Sequence, residues 1–138
     1  MMKEEMIQAL VDSAVSAREK SYCPYSGFAV GAALLAADGI IYTGANIESA
    51  SFTPTVCAER VAFFKAITEG ERDFIAIAVA GGEAGKPPKA DCPPCGVCRQ
   101  VMAEFCGKGF YVIWGNSEKI TKKTLEEVLP FGFDKNNL

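Results

Sequence analysis

The sequence contains no histidine among its 138 residues. Histidine is the most frequent general base and metal ligand near neutral pH, so its absence excludes serine–histidine and cysteine–histidine nucleophile pairs. Acid–base chemistry must then be carried by carboxylates, lysine, tyrosine or metal-bound water. This absence restricts the possible catalytic sites more than any other feature of the composition.

The chain also lacks a long apolar run and a cluster of basic residues. Its longest uncharged apolar stretch, residues 28–37, is too short to cross a bilayer, and no apolar signal core follows the first residues. The formal net charge is −3, and the basic residues are scattered. A protein that grips a phosphate backbone usually has a basic stripe. We therefore expect a small-molecule ligand, no nucleic-acid polymer, no membrane and a cytoplasmic location.

The six cysteines are Cys23, Cys57, Cys92, Cys95, Cys98 and Cys106. Disulfide frameworks are typical of very small exported domains, and this chain is predicted to be neither tiny nor exported. We therefore expect reduced thiols, some of which bind a metal.

Alternating apolar patterns predict helices and strands along one domain, residues 1–138. Helices are predicted over 3–20, 57–69, 95–105 and 124–129, and strands over 28–36, 40–47, 73–80 and 110–114. Asp38-Gly39 is the strongest turn signal and predicts an antiparallel hairpin between the first two strands. Residues 81–94 are rich in glycine and proline and are predicted to form a loop. Helices that alternate with strands indicate a layered α/β sandwich.

Two short motifs together predict a metal site. Residues 94–98 read PCGVC and place two thiols three positions apart at a predicted helix start, where they share a face. Residues 57–59 read CAE and place a third thiol at the start of another helix. Zinc deaminases can carry a Cys₃ site of this form, with a glutamate two residues after the first ligand. We therefore predict that Cys57, Cys95 and Cys98 bind one Zn²⁺ ion.

The predicted ligand set suits a hydrolytic reaction. Three protein ligands leave the fourth tetrahedral position of zinc to water, whose pKa the metal lowers. Three thiolates against a dication give a formal charge of −1, which helix N-termini and a nearby arginine would offset. Arg60 and Arg99 both follow a ligand closely, and we favour Arg60 as the donor to sulfur.

Glu59 is predicted to be the proton shuttle of this site. Positions i and i+2 of a regular helix do not face each other. The prediction therefore requires that Cys57 lies at the point where its helix begins, so that Glu59 reaches the same water molecule.

The chain resembles the small, homotetrameric cytidine deaminases over nearly its full length. The matching stretches are YSGFAVGAAL at 25–34, NIE at 46–48, CAER at 57–60, PCGVCRQ at 94–100 and LP at 129–130. The resemblance implies a three-layer α/β/α sandwich with a mixed five-stranded sheet, and a homotetramer with one zinc ion per subunit. It also implies hydrolysis of cytidine and 2′-deoxycytidine to uridine and 2′-deoxyuridine in pyrimidine salvage.

The resemblance further implies a set of substrate contacts. Phe28 would pack against the pyrimidine ring, and the backbone N–H of Ala58 would donate to the pyrimidine 2-carbonyl. Asn46 and Glu48 would hydrogen-bond the ribose 3′-hydroxyl, a role that suits an amide and a carboxylate. Phe133 would reach the pocket of a neighbouring subunit.

Two departures from the family pattern keep a second substrate hypothesis open. Ser49 stands where the family has asparagine, and Phe52 stands where it has a tyrosine that helps arrange the ribose across a subunit contact. A modified or antibiotic pyrimidine nucleoside, such as blasticidin S, is therefore the alternative substrate.

A third hypothesis makes the chain a non-catalytic metal-binding module. Cys92, Cys95, Cys98 and Cys106 have a spacing that permits a Cys₄ cluster with structural zinc or iron–sulfur. This reading leaves the CAE motif at 57–59 without a role.

Overall fold

The computed structural model describes residues 2–138, so only Met1 of the predicted domain 1–138 lies outside the described residues. The helices are α1 (Glu4–Ala17), α2 (Ala58–Thr68), α3 (Gly96–Phe105) and α4 (Leu125–Val128). The strands are β1 (Phe28–Ala36), β2 (Ile41–Ala45), β3 (Phe74–Glu83), β4 (Tyr111–Gly115) and β5 (Ile120–Thr124). Single 3₁₀ turns lie at Arg18–Lys20 and Lys135–Asn137. Within residues 2–138, no helix has the length and apolar character needed to cross a membrane.

The five strands form one mixed sheet in the order β2-β1-β3-β4-β5. Strand β1 pairs antiparallel with both β2 and β3, β3 pairs parallel with β4, and β4 pairs antiparallel with β5. The predicted hairpin is confirmed. Gly39 adopts a left-handed φ of 93°, and the Ala36 N–H donates to the Ile40 carbonyl at 2.9 Å.

Helices cover both faces of the sheet. Helix α1 packs on one face through Leu10, Val11 and Ala14, each at most 1% exposed. Helices α2, α3 and α4 cover the other face, where Phe63 and Met102 are fully buried. This arrangement confirms the predicted three-layer α/β/α sandwich with a mixed five-stranded sheet.

The sheet differs from the sequence-based prediction at two places. Strand β3 continues to Glu83 because residues 81–83 pair with residues 28–30 of β1, so the predicted loop 81–94 begins later. Strand β5 is not among the predicted strands, because its sequence ITKKT has little apolar character. Lys122 and Lys123 are exposed on β5. Lysine is common on edge strands, because its charge discourages pairing with the strands of other chains.

The helices begin slightly later than predicted. Cys57 and Cys95 have extended backbone angles, with φ/ψ of −75°/154° and −70°/166°, so α2 and α3 start at the following residue. Thr124 similarly caps α4, and its hydroxyl accepts a hydrogen bond from the Glu127 N–H at 3.3 Å. Two of the predicted metal ligands are therefore N-cap residues.

Gly44 in β2 allows the start of α2 to lie close against the sheet. A Cβ atom at this position would lie 2.5 Å from the Ala58 carbonyl oxygen and 2.6 Å from the Ala62 nitrogen. Any other residue would push the helix outward. This close approach fixes the depth of the first turn of α2, which carries Glu59.

Candidate metal and catalytic site

Three cysteine sulfurs meet where α2 and α3 begin. The Sγ atoms of Cys57 and Cys95 are 3.7 Å apart, those of Cys95 and Cys98 are 3.5 Å apart, and all three lie within 4.8 Å of one another. Sulfurs bound tetrahedrally at the usual zinc–sulfur distance of about 2.3 Å lie about 3.8 Å apart. The spacing of the three sulfurs therefore fits one zinc ion.

No other group of three or more candidate metal ligands occurs among residues 2–138. Cys92 and Cys106 are not part of the cluster. Burial raises the pKa of Cys92 to about 11 and that of Cys106 to about 12. The geometry therefore gives no support to a Cys₄ module.

Both helices begin at this cluster. Cys57 and Cys95 are the N-cap residues of α2 and α3, and Cys98 lies in the first turn of α3. The positive end of a helix dipole favours a negative sulfur. Cys98 is 1% exposed, whereas Cys95 is exposed, so the cluster is closed on the protein side and open toward solvent.

The thiols and Arg60 form one electrostatic unit. Hydrogen bonding from the Cys98 thiol, supported by Arg60, lowers the pKa of Cys57 to about 5. The same contact with Cys57, together with burial, raises the pKa of Cys98. The Arg60 guanidinium donates to the Cys57 sulfur at 3.5 Å. A negative charge on the cluster is therefore already balanced in part by the protein.

Arg99 has a different position from Arg60. Its Nε donates to the Pro94 carbonyl and its Nη1 donates to the Val128 carbonyl, both at 2.8 Å. These bonds tie the segment that precedes Cys95 to the end of α4. Arg99 therefore holds the backbone next to Cys95, whereas Arg60 contacts the Cys57 sulfur.

Glu59 lies in the first turn of α2 and is only 3% exposed. Burial raises its pKa to about 7, and the charge of Cys57 adds to the rise, while the Cys98 thiol opposes it by hydrogen bonding. These contacts place the carboxyl group beside the sulfurs. Cys57 is the N-cap of α2 and has an extended backbone. The side chains of Cys57 and Glu59 therefore do not have the opposed directions that positions i and i+2 have within a regular helix.

The side chain of Asn46 joins three segments of the backbone. Its Oδ1 accepts from the Val30 N–H at 2.9 Å and from the Ser21 hydroxyl at 2.5 Å, while its Nδ2 donates to the Phe28 carbonyl at 2.8 Å. One N–H of the amide therefore remains for a ligand. The residue has a structural role at the start of β1 in addition to the predicted substrate contact.

Glu48 is held by the turn that precedes β1. Its Oε1 accepts from the backbone N–H groups of Tyr25 and Ser26 at 3.0 and 3.1 Å, and its Oε2 accepts from the Ser26 hydroxyl at 2.5 Å. The Ser26 hydroxyl lowers the pKa of Glu48 more than any other group does. Glu48 is therefore an ionised, oriented acceptor.

Phe28 and Ala58 are placed by the sheet and by α2. A Cβ atom on Gly81 would lie 2.6 Å from the Cys92 sulfur and 3.1 Å from a Phe28 ring carbon, so both groups rest against β3 at that point. Ala58 is the first residue of α2, and its N–H has no partner within its own helix. This N–H is free to bind a ligand carbonyl.

Phe133 lies in the C-terminal segment, with its side chain 58% exposed. Its carbonyl accepts from the Gln100 amide at 2.7 Å, so α3 fixes this part of the segment. A cavity of about 730 Å³ lies between the end of α3 and residues 129–136, and none of the predicted site residues lines it. This cavity is therefore separate from the candidate site.

Three residues that support the site are absent from the set predicted from the sequence: Ser21, Ser26 and Arg18. The Arg18 guanidinium donates to the carbonyls of Ala29, Lys86 and Glu83 at 2.9 to 3.1 Å. Arg18 is 9% exposed. The sequence feature that could have identified it is its position next to the buried face of α1. Ser26 could have been identified from its position in the YSG turn. No feature of the sequence identifies Ser21 as a support of the site.

Residues 4–113 match the family model described as "Cytidine and deoxycytidylate deaminase zinc-binding region". The cytidine deaminase of Halalkalibacterium halodurans is 51% identical over 127 residues, which are 91% of this chain and 92% of that protein. The cytidine deaminase of Sporosarcina psychrophila is 46% identical over 96% of this chain and 94% of that protein.

The fold is also similar to that of a solved cytidine deaminase. The crystal structure of a cytidine deaminase from Burkholderia pseudomallei superposes with a TM-score of 0.83 at 41% sequence identity. The match covers 96% of this chain and all of that chain. The likeness therefore extends over the whole three-layer fold and includes both cysteine-bearing helices.

Proposed function

This chain belongs to the cytidine and deoxycytidylate deaminase family and is a zinc-dependent cytidine deaminase, and from that premise we propose how its own residues carry out the reaction. The enzyme hydrolyses the bond between C4 and the amino group of cytidine, which yields uridine and ammonia. The observation that carries the assignment of residues is the meeting of three cysteine sulfurs and one buried glutamate where α2 and α3 begin.

Cys57, Cys95 and Cys98 would hold the zinc ion. Their sulfur spacing and their place at two helix N-termini support this assignment. Zinc in such a site supplies a Lewis acid that makes a water molecule nucleophilic near neutral pH. Cys95 is exposed, and the nucleoside would enter from this side of the cluster.

Glu59 is the residue that moves protons. It takes a proton from the attacking water and delivers it to the pyrimidine N3 as the water oxygen bonds to C4. It then takes the second proton from the oxygen now bonded to C4 and delivers it to the amino group, so that the C4–N bond breaks, ammonia leaves and the C4 carbonyl forms. A carboxyl group with a pKa of about 7 can accept and release protons at neutral pH, which supports this role.

Arg60 adjusts the charge of the metal site. Its contact with the Cys57 sulfur returns positive charge to a ligand set in which three thiolates outweigh a dication. By donating to sulfur, Arg60 reduces the electron density that the thiolates would give to a bound zinc ion. A zinc ion held by these three thiolates would therefore keep more of the positive character that activates water.

The substrate contacts are divided between the base and the sugar. Phe28 packs against the pyrimidine ring, and the free N–H of Ala58 donates to the 2-carbonyl. The remaining N–H of Asn46 donates to the ribose 3′-oxygen, and Glu48 accepts the 3′-hydroxyl proton. The hydrogen bonds that already hold Asn46 and Glu48 support this role, because they fix both polar groups before the nucleoside binds.

We also propose a homotetramer of single-domain subunits (residues 1–138) that acts in the cytoplasm in pyrimidine salvage and does not bind nucleic-acid polymers. Large apolar side chains are exposed on segments that carry site residues: Tyr22, Tyr25, Phe52, Val97 and Phe133. Other subunits would cover these side chains. Phe133 would then enter a neighbouring site.

A nucleoside panel tests the proposed substrate contacts. Zinc-loaded enzyme is assayed for ammonia release with cytidine, 2′-deoxycytidine, 3′-deoxycytidine, free cytosine and blasticidin S. We expect cytidine and 2′-deoxycytidine to react well, and cytosine to react at least about a hundredfold more slowly because it lacks the sugar. A preference for cytosine would contradict the roles of Asn46 and Glu48, and a preference for blasticidin S would favour the antibiotic hypothesis.

Replacement of Glu48 by glutamine tests the sugar contact directly. Glu48→Gln should lower kcat/KM for cytidine about 10- to 100-fold, because a hydrogen bond to a charged acceptor is lost. The same variant should leave kcat/KM for 3′-deoxycytidine unchanged. Glu126→Gln is the matched control, since that exposed side chain contacts only Lys108 at 3.7 Å. Equal losses with both nucleosides would show that Glu48 does not bind the 3′-hydroxyl.

A further inference from the structure

The Ser26 hydroxyl lies between two residues of the proposed nucleoside site. Its oxygen is 2.5 Å from Oε2 of Glu48 and 3.0 Å from the backbone nitrogen of Phe28. In the proposed function Glu48 binds the ribose 3′-hydroxyl, whereas Phe28 packs against the pyrimidine ring. A single hydroxyl group therefore connects the two halves of the binding site.

The directions of the hydrogen bonds around Ser26 are fixed by the chemistry of its partners. The Phe28 N–H can only donate, so the hydroxyl oxygen accepts there. An ionised carboxylate can only accept, so the hydroxyl hydrogen points at Glu48. The Tyr25 and Ser26 N–H groups supply two more donors to the same carboxylate. Three donors from two adjacent residues thus determine the orientation of the Glu48 side chain.

The turn that presents Ser26 is closed by its own backbone. The Gly27 N–H donates to the Cys23 carbonyl at 3.0 Å, and Gly27 has a left-handed φ of 66° that favours glycine. Ser26 itself is exposed, and its side chain belongs to neither hydrophobic core cluster. The hydroxyl can therefore be removed without a change in the core.

We propose that Ser26 is a positioning residue for recognition of the sugar: its hydroxyl holds the Glu48 carboxylate in the orientation that accepts the ribose 3′-hydroxyl. This inference rests on the proposed function of Glu48. Asn46 has no direct contact with Ser26, because its side chain is held by Ser21, Phe28 and Val30. The loss of Ser26 should therefore weaken one of the two sugar contacts and leave the other.

The test is the substitution Ser26→Ala in the zinc-loaded enzyme. We expect KM for cytidine to rise about tenfold with kcat changed less than about twofold, because an oriented acceptor is replaced by a mobile one. The dissociation constant of uridine, measured by calorimetry, should rise by a similar factor. Both kcat/KM for 3′-deoxycytidine and the affinity for 3′-deoxyuridine should change much less, because with these ligands only the lost acceptor of the Phe28 N–H can have an effect. Ser26→Thr keeps a hydroxyl and should behave as the wild-type enzyme does.

Ser117→Ala is the matched control, because Ser117 is exposed in the turn between β4 and β5. Three results for Ser26→Ala would overturn the proposal: an unchanged KM for cytidine, an equal loss with 3′-deoxycytidine, or loss of the fold. If Glu48→Gln shows the expected selective loss while Ser26→Ala does not, only the role of Ser26 fails. If Glu48→Gln itself acts equally on both nucleosides, the proposed sugar contact fails first.

Discussion

Glu59→Gln is expected to bind zinc and fold as the wild-type enzyme does, yet to lose turnover of cytidine by at least about a thousandfold. Glutamine has nearly the same shape as glutamate but cannot carry a proton between the water, N3 and the amino group. Since Glu59 is 3% exposed, no bulk water reaches its position to replace it. The measurement is kcat from single-turnover ammonia release, together with metal content and the thermal midpoint.

The matched control for this prediction is Glu69→Gln at the end of the same helix. Glu69 is exposed and is the C-cap of α2, so its substitution should leave kcat unchanged. The neutral side chain of Glu59→Gln removes the cost of a buried charge, so the thermal midpoint should be equal or higher. Turnover by Glu59→Gln within tenfold of wild type would mean that another group moves the protons.

Cys57→Ser has the second large effect, since it removes one of three sulfurs that the structure brings within 4.8 Å of one another. Serine is a poor zinc ligand at neutral pH because its hydroxyl remains protonated, whereas the thiol of Cys57 is readily ionised. We expect the variant to lose its zinc in dialysis against a chelator that the wild-type enzyme resists. Turnover should fall at least about a thousandfold with the metal. Metal content is measured by mass spectrometry beside the rate.

Cys92→Ser and Cys106→Ser separate this account from the Cys₄ hypothesis. Both cysteines lie outside the sulfur cluster, so both variants should keep zinc and turnover. Zinc loss in these two variants, with zinc retained in Cys57→Ser, would place the metal elsewhere and contradict the assignment of the site.

The sequence was most informative where the chemistry depends on residue type and local spacing. The PCGVC and CAE motifs identify residues that the structure brings together, because a cysteine at a helix N-cap and a second one three residues later face the same point. The Asp38-Gly39 hairpin and the alternation of helices and strands were likewise predictable. The hairpin and the Cys95–Cys98 pair depend on residues that are close in sequence. The contact between Cys57 and Cys95 spans 38 positions and was predicted from the joint occurrence of the two motifs.

The supports of the site could not be predicted in the same way. Ser21 contacts Asn46 across 25 positions, and Arg18 reaches Glu83 and Lys86 across 65 and 68 positions. Such contacts depend on the order of strands in the sheet, which local patterns do not determine. Strand β5 was missed for a related reason, because an edge strand has only one neighbour and needs little apolar character.

X-ray absorption at the zinc edge of the loaded enzyme tests the central claim most directly. If Cys57, Cys95 and Cys98 bind zinc, the spectrum should show three sulfur atoms at about 2.3 Å from the metal and one lighter atom at about 2.0 Å. Binding of a cytidine-like ligand should change the signal of the lighter atom. In Cys92→Ser and Cys106→Ser the spectrum should be unchanged. A zinc ion surrounded by four sulfurs would contradict the account, because no position would remain for a water molecule beside Glu59.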